Sequence, residues 1–230
     1  MYKHAKKIEV AYLPDIKTDL MDDVDLNVLN AAYAFANTHK CRAFCTYLPL
    51  IPLIESKNYV TRLVPVIDFP SGETLNAEQK IFECGRAYEV CKKASSSEVD
   101  IVLPSNSADA VHELIKISDA KVNSRIGVKY IIELCNRNKD YVKDVLTWLC
   151  AENCTYVKTN TGKLAKILFE EKLEAVRWMR DLTTLPFKIS GGVDSNEHIE
   201  KYLEAAGPDT IFGVGYQKLK EWKEFNAEDN

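Results

Sequence analysis

The sequence predicts an α/β chain folded as a single-domain (β/α)8 TIM barrel, on three observations. Eight short β-rich runs alternate strictly with segments of helical spacing along the chain, and parallel strands need crossovers that helices usually supply. The 230 residues hold eight lean strand-helix units with no room for a second domain, since such barrels take about 250 residues. No G-x-G-x-x-G follows the first β run, as an open dinucleotide-binding sheet would require.

In order, the run at 8–13 is followed by helical spacing at 24–37. The run at 41–47 is followed by a shorter helical segment at 50–57, overlapping the uncharged stretch 48–54 with its two prolines. That stretch is far short of the ~20 apolar residues of a membrane span. Runs at 63–69 and 98–103 lead into periodic segments at 77–93 and 108–119, with the low-complexity patch Ser95 to Ser97 at the handover between helix and strand. The last four units pair 126–134 with 139–151, 155–158 with 164–182, 187–190 with 196–206, and 210–214 with 217–225.

A chain 46% hydrophobic and 28% charged is globular rather than disordered or fibrous. Its net charge of −4 gives no broad reason to bind nucleic acid or an anionic membrane, so an anionic ligand needs a local cationic pocket. The basic start, 1–10, lacks the apolar segment of a secretory signal, and a cytoplasmic protein is the default expectation. Seven cysteines, with no C-x-x-C pair and no histidine at ligand spacing, read as reduced thiols rather than a metal site. The four histidines are scattered, without the neighbours that would orient them for catalysis.

The informative residues are charges where a core strand should have none. Strands covered by helices read as near-continuous apolar runs, and an unpaired buried charge is costly. Yet Lys129 lies in Gly127-Val128-Lys129-Tyr130-Ile131-Ile132, Lys158 ends Thr155-Tyr156-Val157-Lys158, and Lys188 sits in Pro186-Phe187-Lys188-Ile189-Ser190. Because strand side chains alternate, Val128, Val157 and Phe187 face the helices while the three lysines point into the barrel, as does Asp100 of Glu98-Val99-Asp100-Ile101-Val102. A single such charge reads as a strand end reaching solvent or a structural ion pair. Four in four consecutive strands point to a site. Repulsion between Lys158 and Lys188, with desolvation, would bring a lysine from about 10.4 towards the ~7 to 8 at which its free amine attacks a carbonyl. The protonated imine that follows is an electron sink, so a carbon-carbon bond can break without a metal, with Asp100 moving protons.

An anion site follows from the last two strand ends. Ser190-Gly191-Gly192-Val193-Asp194-Ser195 places two glycine amides before a helix N-terminus, and Phe212-Gly213-Val214-Gly215 repeats the pattern one strand later. Barrels commonly bind phosphate there. The plainer alternative is a turn with Asp194 or Ser195 capping the helix; beside paired lysines, the phosphate site is preferred.

At these residues the sequence resembles the deoxyribose-phosphate aldolases, a class I aldolase family on a (β/α)8 barrel. The resemblance rests on 98–104, 128–133, Tyr156-Val157-Lys158-Thr159-Asn160-Thr161-Gly162-Lys163 and 187–193, with weaker echoes at 45–49 and 68–72, in unbroken order over roughly 41–213. It implies cleavage of 2-deoxy-D-ribose 5-phosphate, a small phosphorylated sugar, to glyceraldehyde 3-phosphate and acetaldehyde, with no cofactor or metal, and a homodimer. It implies Lys158 as the Schiff-base lysine, Lys188 as the neighbour depressing its pKa and Asp100 as the proton-transfer residue. Lys129 and Cys45 would line the site, with Asp15 and Thr18 contributing from the loop after the first strand. Thr161, Lys163, Gly191, Gly192, Gly213 and Gly215 would hold the hydroxyls and phosphate, although Lys163 reads equally well as a first-turn helix lysine. The chain departs from the family pattern at Gly215-Tyr216, where serines are common, at Asn160, where serine is usual, and at Ser95-Ser96-Ser97 and Glu152-Asn153-Cys154, where glycine-alanine often stands. It also ends without the tyrosine found in some members. Two alternatives stand beside this expectation: a class I aldolase for another aldehyde, and a catalytically silent paralogue used for binding or scaffolding.

Overall fold

Eight parallel strands close into a barrel in the computed structural model, which describes residues 2–17, 22–55, 61–92, 98–105, 107–122, 125–151, 154–164 and 166–226. The strands are β1 (Ile8–Ala11), β2 (Ala43–Tyr47), β3 (Arg62–Ile67), β4 (Glu98–Val102), β5 (Gly127–Ile131), β6 (Tyr156–Lys158), β7 (Phe187–Ser190) and β8 (Ile211–Gly215). Each pairs with the next in sequence, and β8 returns onto β1 with Ile8 opposite Phe212. Outside them run α1 (Leu26–Thr38), α2 (Ala77–Cys91), α3 (Ala108–Lys121), α4 (Lys139–Ala151), α5 (Phe169–Leu182) and α6 (Asn196–Ala206), then the short α7 (Tyr216–Leu219) and α8 (Lys223–Asn226).

Side chains alternate about each strand and so divide the core in two. Phe44, Ile101, Tyr130, Val157, Phe187 and Phe212 face outward and are buried with Leu29, Ile115, Val145, Val176 and Ile199 of the helices. Inside the barrel a separate apolar cluster, Ala43, Cys45, Val64 and Val66, belongs to β2 and β3 alone. The helix starts follow from local chemistry: Asp25 accepts from the N–H groups of Asn27 and Val28, Asn76 and Gln79 form a capping box, and Ser107 and Ser195 cap α3 and α6.

Three helical expectations need correction. The segment at 50–57 is a 3-10 helix, Leu48–Leu53, because Pro52 lacks the N–H that an α-helical ladder needs; residues 56–57 lie outside the described residues. The helix expected from 164 starts at Phe169, since Gly162 at φ 77° turns the chain across the barrel mouth first. Lys163 is thus a loop residue. The helix expected at 217–225 is two turns, α7 and α8, and the break between them brings Trp222 and Phe225 against Tyr2, with ring centroids 6.4 and 4.8 Å away. The strand expected at 126–134 ends at Ile131, and Glu133 is left-handed at φ 51°.

Candidate active site

The register that closes the barrel also assembles the charges. Asp100 is opposite Lys129, and Lys158 is opposite Lys188. All four are almost fully buried. Asp100 Oδ2 accepts from Lys158 Nζ at 2.7 Å and from Lys188 Nζ at 2.6 Å, so one carboxylate oxygen serves two ammonium groups. Its other oxygen has Lys129 Nζ at 3.4 Å and no aligned hydrogen bond. Burial would push the Asp100 carboxyl up, but Lys158, Lys188 and Lys129 outweigh it and hold the group far below the usual carboxylate range.

Beneath this group lies a second layer that the sequence did not reveal as part of the site. Glu9 of β1 pairs with Lys188, with Lys129 at 3.1 Å and with Arg42. Glu98 of β4 pairs with Lys129 at 2.8 Å, with Arg42 at 2.7 Å and with Arg62. Five cations and three carboxylates therefore form one continuous cluster. Burial disfavours the Lys188 ammonium, yet Asp100 and Glu9 hold its pKa well above the ordinary lysine value. Among the described residues Lys158 pairs with one carboxylate, Lys188 with two and Lys129 with three. Lys158 is the amine least committed to ion pairing.

Lys158 and Lys188 open into a cavity of about 190 Å³ at the C-terminal mouth of the barrel. Cys45, Thr161, Lys163, Gly191, Gly213 and Gly215 also line it, as do four residues not singled out from the sequence: Ala11, Leu13, Gly162 and Ser190. Burial pushes the Cys45 thiol up to about 11, so it faces the cavity protonated. The Phe69 ring lies 5.8 Å from Lys158 Nζ. A side chain on Gly191 would come within 2.9 Å of the Gly162 Cα, so the loops after β6 and β7 meet at two bare backbones. Likewise a Cβ at Gly213 would meet Ser190 Oγ at 2.3 Å; that hydroxyl is buried at the cavity with no hydrogen-bond partner among the described residues.

Lys129 does not line the cavity: its three carboxylates hold it in the layer below. Asp15 is mostly exposed and bridges to Lys163 Nζ at 2.6 Å, which pulls its carboxyl down. Gly192, next to Gly191, is not among the residues that line the cavity. Thr18 lies outside the described residues. Asn160, at the position where serine is usual, donates to Glu133 at 3.4 Å, and the same carboxylate accepts the Thr161 N–H. Among the described residues no three His, Cys, Asp or Glu side chains gather as a metal site would need.

No family model matches the chain. Among solved structures it is similar to QR15, an aldolase, with a TM-score of 0.76 and 22% identity over 95% of this chain and 94% of that one. It is also similar to the tetrameric deoxyribose phosphate aldolase from Aeropyrum pernix, with a TM-score of 0.74 and 21% identity over 94% and 88% of the two chains. At such identities the likeness establishes the (β/α)8 fold, which serves many chemistries.

Proposed function

We propose that the chain is a class I aldolase that reversibly cleaves 2-deoxy-D-ribose 5-phosphate to D-glyceraldehyde 3-phosphate and acetaldehyde. The observation that carries this reading is the pair Lys158 and Lys188, adjacent on neighbouring strands, sharing Asp100 and facing a cavity with a glycine-rich rim. In this reading the free amine of Lys158 adds to the C1 aldehyde, and water leaves to give a protonated imine. A base takes the C3 hydroxyl proton, the C2–C3 bond breaks, and its electrons pass into the imine as an enamine. Glyceraldehyde 3-phosphate departs; protonation at C2 and hydrolysis then release acetaldehyde and restore the amine. Asp100 relays protons through the oxygen that lacks an aligned hydrogen bond, and Lys188 supplies a fixed ammonium beside the reacting nitrogen. Lys163 and the amides at Gly191 and Gly192 hold the phosphate. The cytoplasmic location and a homodimer belong to the same reading. No helix among the described residues is long and apolar enough to cross a membrane.

Borohydride reduction in the presence of acetaldehyde should add the mass of an ethyl group at Lys158 and none in Lys158→Leu. Absence of an adduct at Lys158 overturns the aldolase reading. An adduct without turnover of the deoxyribose phosphate favours another aldehyde substrate, a reading supported by Gly215-Tyr216 where serines are common in the family it resembles.

A further inference from the structure

Lys172 is a fully buried residue on the face of α5 that carries Leu173, Val176 and Met179 into the core. The other fully buried helix lysine, Lys80, pairs with Asp68 at 3.0 Å. Among the described residues no carboxylate pairs with Lys172; its amine donates only to the backbone carbonyls of Ser190 and Gly191. Burial brings its pKa down to about 7. A leucine or methionine would complete the apolar face at less cost, so the amine serves something other than packing.

The two carbonyls it holds belong to the rim of the cavity. In a trans peptide the C=O of one residue and the N–H of the next point in opposite directions. Tying back the carbonyls of Ser190 and Gly191 therefore turns the N–H groups of Gly191 and Gly192 away from α5. His198 Nδ1 lies 3.2 Å from the Gly192 oxygen and 3.4 Å from the Asp194 nitrogen, so it holds the Gly192 carbonyl in its Nδ1-protonated form and the Asp194 N–H in the other. The ring is fixed by stacking on Phe169, 3.8 Å between centroids. The backbone needs two consecutive left-handed residues to do this, Gly191 at φ 78° and Gly192 at φ 69°. Among the described residues the N–H groups of Gly192 and Val193 have no hydrogen-bond partner, while that of Gly191 faces Gly213 across the β7–β8 ladder.

We propose that Lys172, assisted by His198, is a positioning residue that clamps this loop from behind and so sets the preference for a phosphorylated over an unphosphorylated sugar. The proposal rests on the aldolase reading for its substrate, but the clamp itself can be read without turnover.

The test compares the full-length protein with Lys172→Met and Lys172→Gln. Two quantities are measured: the ratio of kcat/KM for 2-deoxyribose 5-phosphate to that for 2-deoxyribose, and the affinity for inorganic phosphate by calorimetric titration. Lys172→Met should lower the substrate ratio about tenfold or more, chiefly through KM for the phosphorylated sugar, and weaken phosphate binding about as much; Lys172→Gln, which keeps one donor group, should lose less. Equal losses on both sugars, or unchanged phosphate affinity, overturn the clamp. Should Lys172→Met show no cooperative melting, His198→Leu is read by the same two measurements, with a several-fold fall expected and no fall overturning the clamp. A wild-type protein without the Lys158 adduct sinks the aldolase reading, and phosphate affinity alone then decides the clamp.

Discussion

The two halves of the barrel interior are built on opposite principles. Above Arg62 at the foot of β3, the buried inward positions of β2 and β3 are Ala43, Cys45, Val64 and Val66, small side chains that fill space and form a smooth wall. Under β4 to β7 and β1 the equivalent positions carry Glu98, Asp100, Lys129, Lys158, Lys188 and Glu9. The apolar half contributes through area and packing, which degrade gradually when a methyl group is lost. The charged half is all-or-none: each ion is tolerable only because its partners are present, and removing one strands the others. In the proposed reading the chemistry falls on the half that can least absorb change, because the same contacts that make burial tolerable hold Lys158, Lys188 and Asp100 in place.

The contrast can be broken at graded cost. Asp100→Asn, which leaves three lysines without their shared carboxylate, should lower turnover by about 10²–10⁴-fold and cost about 3–5 kcal/mol of stability in urea unfolding. Glu9→Gln should cost about 3 kcal/mol, because Lys188 keeps only Asp100. Val64→Ala, in the apolar half, should cost about 1–2 kcal/mol from two lost methyl groups and the space they leave. If Val64→Ala proves as costly as Glu9→Gln, the distinction between the halves fails.

The smallest effect is that of pH. Asp100 and Glu98 have folded pKa values held below their unfolded ones, so their stabilisation is present above about pH 4 and is lost only as pH falls through the depressed folded values. Lys188 is raised, so its contribution is complete below about pH 10 and fades as pH rises through its folded value. Stability measured by urea titration should therefore vary little between roughly pH 5 and 9 on account of this cluster. A steep loss at pH 6 that Glu9→Gln and Asp100→Asn remove would mean that the carboxylates are not depressed.

The alternation of strands and helices was legible because its periodicities differ, and the barrel followed. Lys129, Lys158, Lys188 and Asp100 stood out because they interrupt apolar runs. Glu9, Arg42, Arg62 and Glu98 did not, since each sits near the start of its strand, where a charge ordinarily reaches solvent. Lys172 was hidden for a related reason: one lysine in a charged amphipathic helix looks like part of its wet face until the neighbouring loop is known. The Asp15–Lys163 bridge joins two loops 148 residues apart and has no local signal. Ser190 was read only as the end of a strand, because its hydroxyl becomes notable only against the bare Gly213 across the sheet.

The ionic cluster also gives the molecule a radial polarity. Five cations against three carboxylates leave it two positive charges in excess when all are ionised, while the chain as a whole carries −4. Everything outside the cluster therefore sums to −6. In the proposed reading, a phosphorylated substrate would approach a net-negative remainder of the chain in order to reach a net-positive centre. Mobile ions screen exposed charges far more than the buried centre, so salt would smooth that approach while leaving the attraction at Lys158 and Lys188 largely intact.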